Sequence, residues 1–439
     1  MAKSYRAYLP EQDLLLPPSL REWLPEEHLV YFVSDVVDEL DLSAMHAVYG
    51  EEKRGQPPYD PRLMTKLLVY GYCTGVFSSR RIQKRLQEDI PFKVLAAGNE
   101  PDFRTISDFR KLHIQALQGL FEQVLAMALE VGAVKVGRVS LDGTKVKANA
   151  SKHKAMSYGR MKEKQQQLQE EVKELLAQAE AADEEEDRRH GNRRGDELPE
   201  ELRRRESRLA KIKAAKKALA QRARQTAAAE GKAAEEAKRA KPDDKDQYNF
   251  TDPDSRIMKN PDGFVQAYNA QAAVEPEMLL IVGQSVTEAS NDKQQLEPMV
   301  EAIEQQSGQR PDALLADNGY CSDENLAFLE SAAQPERKIE GFIATGKQKH
   351  GEHRLPCPRG PLPKGATRVE KMKRKLKTKV GKAIYAARKC VVEPVFGQIK
   401  QARGFRQFLL RGKDKVKGEW ALVCLTHNIL RLYAGQQPR

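Results

Sequence analysis

Residues 159–247 contain no phenylalanine, tyrosine or tryptophan. Nothing in that stretch is large enough to found a hydrophobic core of its own. Cysteine is also scarce: five residues (Cys73, Cys321, Cys357, Cys390, Cys424) lie far apart, with no Cys-x-x-Cys pair. A disulfide framework and a zinc ribbon are thereby excluded, and the pattern fits a reducing cytosol. His350, His353 and Cys357 lack a fourth ligand at suitable spacing, so a basic loop touching nucleic acid is the better reading than zinc. No apolar run approaches the ~20 residues of a membrane span. The opening "MAKSYRAYLPEQDLLLPPSL" carries prolines where a signal peptide has its apolar core, so neither secretion nor membrane integration is expected.

What is present is length and positive charge. The 439 residues can bury at least one large core. Lysine and arginine total 74 against 63 acids, a net charge of +11, which favours polyanionic partners, nucleic acid first.

The first third is helical in pattern. In "YDPRLMTKLLVYGYC", Asp60 is placed to cap a helix that opens on Pro61. A second helix beginning near Ser78 or Ser79 shows Arg80, Arg81, Lys84 and Arg85 at helical spacing. Thr105 is expected to cap another, which carries Arg110 and Lys111. Short helices with outward cations suit a helix-turn-helix type of DNA reader. After "IQALQGLFEQVLAMALEVG" the pattern alternates in "GRVSLDGTKVKANAS", as in a half-buried strand.

The aromatic-free stretch holds two heptad-like seams: Met161, Leu168, Val172, Leu175 and Ala179, then Leu202, Leu209, Ile212 and Leu219. An antiparallel helical hairpin is expected, with a loop at "ADEEEDRRHGNRRGDELP", a return helix from Pro199 and a frayed linker over 226–246. Beyond it come two strands joined by a turn at Glu275, Pro276 and Glu277, and a helix capped near Asn291 and Asp292 and stopped at Gly308. An "ALLAD" strand ending at Asp317 follows, then a helix capped by Ser322 and a helical C-terminus. Asp252 and Asp254 in "TDPDSR" read as turn residues.

Setting the hairpin aside leaves a mixed sheet with helices on it and three acids on three elements: Asp142, Asp317 and Glu393. Three carboxylates suit divalent cations engaged in phosphodiester chemistry, since magnesium accepts oxygen ligands and keeps several waters. Because Pro394 follows Glu393, that acid is expected at the N-terminus of its helix, with Lys400 on the same face.

Taken together, "SLDGTKVKANAS", "ADNGY", "YAARKCVVEPVFGQIK", "PPYDPRLMTKLLVYGYCTGVFSSRRI" and "PDFRTISDF" resemble a bacterial insertion-sequence transposase of the DDE type. The resemblance covers nearly the whole chain outside the hairpin. It implies an α+β architecture: a ribonuclease H-like mixed sheet with flanking helices over 134–150 and 247–436, an N-terminal all-α, DNA-binding domain over 1–133, and a charged helical hairpin inserted over 151–246. It implies Asp142, Asp317 and Glu393 as the acidic triad. It further implies a Tyr, Arg, Glu, Lys signature, matched by Tyr385, Arg388, Glu393 and Lys400. The Arg-to-Glu interval is four residues where the family has three, and Lys389 holds the three-residue spacing, so either cation could fill the arginine role.

The expected activity is cleavage of element ends and transfer of the 3'-hydroxyl strand to target DNA, with two Mg2+ ions that Mn2+ can replace. Expected phosphate contacts are Lys145, Lys147, Arg388 and Lys400, with Tyr385 beside them and Arg80, Arg81 and Arg110 in end recognition. Double-stranded DNA is the expected partner, bound by a homo-oligomer in the bacterial cytoplasm. Two alternatives stand beside this: a ribonuclease H-like nuclease that never joins, and a non-enzymatic DNA-binding coiled-coil protein.

Overall fold

The computed structural model describes residues 19–49, 57–190, 200–229, 233–260, 263–330, 338–346, 357, 360–363 and 365–436. His350 and His353 lie outside them. Seven helices come first: α1 (Leu29–Asp38), α2 (Ser43–Ala47), α3 (Pro61–Cys73), α4 (Ser79–Glu88), α5 (Ile90–Ala96), α6 (Phe103–Leu112) and α7 (Ile114–Glu130). Asp60 caps α3 by accepting the Arg62 N–H at 2.7 Å, with Pro61 at the first position. Helix α6 is capped by Asp102 rather than Thr105. The Asp102 carboxylate accepts the N–H groups of both Arg104 and Thr105 (2.6 and 2.8 Å), and a charged oxygen reaching two orphan donors outcompetes a hydroxyl one turn further on.

Strand β1 (Arg138–Lys147) leads through β2 (Ala155–Ser157) into the hairpin helices α8 (Tyr158–His190) and α9 (Glu200–Ala229). The helix runs on through much of the expected loop because alanine and glutamate favour helix. The expected linker likewise contains the end of α9 and a further helix, α10 (Ala234–Arg239). The remaining elements are β3 (Gln247–Asn249), β4 (Arg256–Asn260), β5 (Gly263–Val274), β6 (Ile281–Thr287), α11 (Leu296–Ser307), β7 (Ala313–Ala316), α12 (Asp323–Glu330), β8 (Glu340–Ile343), α13 (Arg368–Lys377), α14 (Lys379–Ala386), α15 (Lys389–Gly397) and α16 (Lys413–Gln436).

The main sheet runs β4–β5–β1–β7–β8, with β6 paired to the far half of β5. Strand β5 runs antiparallel to both β6 and β1, and β1, β7 and β8 run parallel. This mixed order with helices packed on it is the ribonuclease H-like arrangement. The carboxylate of Glu275 closes the β5–β6 turn by accepting the N–H groups of Glu277, Met278 and Leu280 (2.8, 2.7 and 3.0 Å).

One continuous apolar core joins the N-terminal helices to this sheet, from Val30 through Leu67 and Phe121 to Leu141, Ile281 and Trp420. Helix α16 is its central post, packed on α7, α3 and β6. The Trp420 indole N–H donates to the Gln271 carbonyl at 3.0 Å. Asp252 and Asp254 do more than turn the chain: buried Asp252 accepts from the Tyr268 hydroxyl (2.8 Å), and Asp254 accepts the N–H of Lys413 at the start of α16 (2.9 Å). Against the expectation from its lack of aromatics, the hairpin has a small core of its own, Met161, Leu168, Ile212, Ala215 and Leu219. Aliphatic side chains at heptad-like spacing pack helix on helix, with Tyr158 and Tyr248 at its foot packed against them. Among the described residues no helix is long and apolar enough to cross a membrane.

Candidate active site

Register builds the site. Leu141 of β1 stands opposite Ala316 of β7 in the parallel ladder, so the next residue on each strand, Asp142 and Asp317, emerges side by side where β7 ends. Parallel strands lie ~4.8 Å apart, close enough for the two carboxylates to feel each other. Burial, followed by the charge of Asp317, pushes the Asp142 acid up to about 6, while Arg388 pulls the other way. The Arg388 guanidinium donates to Asp142 Oδ2 at 3.1 Å and is itself buried. The Gly143 N–H donates to Asp142 Oδ1 (2.8 Å), and Asp317 Oδ1 accepts the Gly319 N–H (2.7 Å).

Of the two cations that spacing left open, one meets the acids. Arg388 reaches Asp142, whereas Lys389 is exposed. Tyr385 is half-buried with its ring 5.9 Å from the Arg388 guanidinium, and burial raises its hydroxyl.

Glu393 is exposed on α15, and among the described residues no group of three or more His, Cys, Asp or Glu side chains converges closely enough to share an ion. Pro394 does not open the helix as the sequence led us to expect. It lies inside α15, which begins at Lys389, and burial of Val391, Val392 and Val395 offsets the hydrogen bond that proline forfeits. A wider π-type turn over Gln398–Ala402 follows. It carries Lys400, whose ammonium donates to the Thr144 hydroxyl and to the Lys145 carbonyl (2.8 Å). Helix α15 is thus pinned to β1 at both ends, by Arg388 and by Lys400, with Glu393 between.

Beside the acids runs a groove of about 440 Å³ lined by Lys145, Lys147, Lys259, Lys400 and Arg406. Three of these cations were expected from sequence; Lys259 and Arg406 were not, because they come from distant elements. Arg80 and Arg81 are exposed on α4, Arg80 stacking over the Phe103 ring at 5.0 Å. Arg110 is different. It is buried, donating to the Tyr72 hydroxyl (3.2 Å) and the Phe77 carbonyl (2.9 Å) beside the buried Glu419 carboxylate. Its guanidinium is part of the core and unavailable to DNA.

Asp292 was expected to cap a helix. It stands instead beside the acid pair, its Oδ1 accepting from the amides of Asn269 and Gln271 (2.6 and 2.7 Å), with Lys145 at 3.7 Å. Helix α11 starts four residues later without a side-chain cap. The available signal was in β5: two amides at alternate positions of an otherwise small, apolar strand, "AYNAQAAV", need a polar partner once buried.

Residues 235–429 match the family model for a transposase DDE domain, and residues 18–112 match that for a transposase domain (DUF772). The chain belongs to the insertion-sequence transposases of the DDE type. Comparison with curated proteins and with solved structures finds no match. Asp317 and Glu393 fall inside the DDE match, while β1 of the transposase, with Asp142, lies outside both matched segments and is joined to the site by its pairing with β5 and β7. DNA is the substrate of such enzymes, and divalent cations are their usual cofactors.

Proposed function

We propose that this transposase hydrolyses the phosphodiester at the ends of a mobile element and then joins the freed 3'-hydroxyl to target DNA at the same site. Asp142, Asp317 and Glu393 are its acids in this reading. The observation that carries it is the β1–β7 register, which sets Asp142, midway along β1, next to Asp317 at the carboxyl end of β7, beside a cationic groove.

The donor set suits hard divalent ions: oxygen ligands only, with two carboxylates whose mutual repulsion a cation would relieve. Asp142 and Asp317 would hold them, and Glu393, on a helix pinned to β1 on either side of it, would complete the set. Mg2+ or Mn2+, two ions in this reading, would supply the Lewis acidity that activates water or a 3'-hydroxyl and stabilises the leaving oxygen. Arg388 keeps the Asp142 carboxylate oriented, and the Gly319 N–H does the same for Asp317. Lys145, Lys147 and Lys400 neutralise backbone phosphates in the groove, and the exposed Arg80 and Arg81 of α4 serve end recognition. Acting on two ends in one reaction calls for more than one protomer on the DNA.

The test is cleavage and joining of a labelled duplex carrying the gene's own flanking ends, for wild type and Asp317→Asn, with Mg2+ and with chelator. Cut and joined products that need the metal and vanish in the variant are expected. Undiminished activity in Asp317→Asn would remove that residue from the site, and cutting without joining would make the protein a nuclease.

A further inference from the structure

The two helices of the hairpin differ in charge. Residues 158–175 of α8 hold four cations and four acids, whereas residues 204–228 of α9 hold nine cations and one acid, Glu206. Some of the nine are engaged: Arg222 donates to the Pro253 carbonyl (3.0 Å), Lys216 to Gln165 (2.7 Å), and Arg205 pairs with Glu171 (3.2 Å).

Lys213, Lys217 and Arg224 are exposed, and among the described residues they make no hydrogen bond or ion pair. Their spacing of four and seven residues puts them on one side of α9, opposite Ile212, Ala215 and Leu219, which are buried against α8. The stripe is ~16 Å long at 1.5 Å per residue. Over that axial length one DNA strand presents about five phosphates.

At its foot the hairpin closes on itself, and Arg222 ties it to the segment that enters β4 of the main sheet. The N–H of Tyr158 donates to the Asp246 carbonyl (2.8 Å), Lys162 pairs with Asp244 (2.6 Å), and β2 pairs with β3. The Pro253 carbonyl that holds Arg222 also accepts from Arg256 (2.9 Å), the first residue of β4. Lys259, three residues along the same strand, lines the basic groove. One strand therefore spans from the foot of the arm to the groove in ~10 Å.

We propose that the outer face of α9, through Lys213, Lys217 and Arg224, is a second DNA contact that holds the phosphate backbone of duplex leaving the groove, without reading sequence. The proposal rests on the transposase reading above but concerns residues outside the acid site. Lysine and arginine on a solvent-facing stripe, with no acid paired to them among the described residues, match a polyanion. A contact made only to phosphates must also be indifferent to base sequence.

The experiment measures duplex binding by the full-length protein against salt concentration, for wild type and the triple variant Lys213→Gln, Lys217→Gln, Arg224→Gln. A short duplex that fills the groove alone and a longer one extended by unrelated sequence are compared, and Lys164→Gln with Lys173→Gln on α8 serves as the control variant. Glutamine keeps helix propensity, and a thermal melt confirms that each variant folds. On the long duplex the triple variant is expected to lower the slope of log K against log salt by about 2.7 and weaken binding on the order of 10- to 100-fold at 0.1 M salt. On the short duplex it should match wild type, and the effect should persist whatever sequence is used for the extension. An unchanged slope on the long duplex overturns the proposal while leaving the transposase reading intact; the same holds if the variant alters only the oligomeric state. If wild type binds neither duplex, both fall together.

Discussion

Arg388 shows how much one side chain contributes here. It is the buried counter-charge of Asp142, an acid already pushed up to about 6 by burial and by Asp317. Removing it leaves the two carboxylates facing each other without compensation. Because the Asp142 side chain keeps 20% exposure, the cost is below that of a fully buried pair, about 1–3 kcal/mol. Arg388→Ala should therefore lose DNA cleavage at least ~100-fold and lower the melting temperature, whereas Lys389→Ala should leave both within about twofold or a degree. Single-turnover cleavage and a thermal melt decide between them. Sequence spacing left the two cations undecided, since counting cannot say which of two neighbouring side chains turns inward. The helix that fixes their direction begins at Lys389 and is oriented by the burial of three valines.

Elements are held by buried polar groups that look like surface residues in the sequence. Arg110 of α6 lies in the core with Tyr72 of α3 and Glu419 of α16. Arg110→Ala should cost about 1–3 kcal/mol, by unpairing the Phe77 carbonyl and removing a counter-charge from Glu419, which keeps its bonds from Tyr72, Leu409 and Leu410. Denaturant unfolding measures it, while Arg80→Ala, on the exposed face of α4, should not shift the midpoint. Helix α16 also carries His427, held neutral between Gln398 and the Leu279 carbonyl (3.0 and 2.9 Å) and lowered by burial to about 3. Its folded value lies below the ordinary 6.5, so between those limits the unfolded chain binds the proton and the folded chain does not. The resulting stability is complete above pH ~6.5 and declines below it, by about 2 kcal/mol at pH 5. Urea midpoints at pH 7 and pH 5 should converge for wild type and His427→Gln as the pH falls; a constant gap would mean that His427 does not titrate with folding. Most helices were legible from caps and periodicity, as at Asp60 and Gly308, where the chemistry is local. Boundaries failed where two local solutions competed, as at Thr105 against Asp102, or where tertiary packing overrode a local rule, as at Pro394.

At the scale of the molecule, one core runs from α1 to α16, and the N-terminal helices and the catalytic sheet are faces of it. Hydrogen exchange should report this: the slowest amides of α3 and α7 are expected to open with the same free energy as those of β1 and β5, and a distinctly lower value for the helices would mean that they fold apart. The hairpin, with its separate small core, is expected to exchange faster than either. The sequence by itself determined the chemical kind of this protein: a basic chain without zinc or disulfide patterning, a strand that ends on an acid and two further acids on other elements, an aromatic-free helical insertion, and motifs that resemble the DDE transposases. These are properties of residue types and short spacings. Only the tertiary structure decided that Asp142 stands next to Asp317, that Arg388 and not Lys389 meets it, that Asp292 joins them, and that Arg110 is core. Each of those depends on strands and helices far apart in the chain, brought together by sheet register and by burial of apolar faces, and no short window of sequence contains both partners.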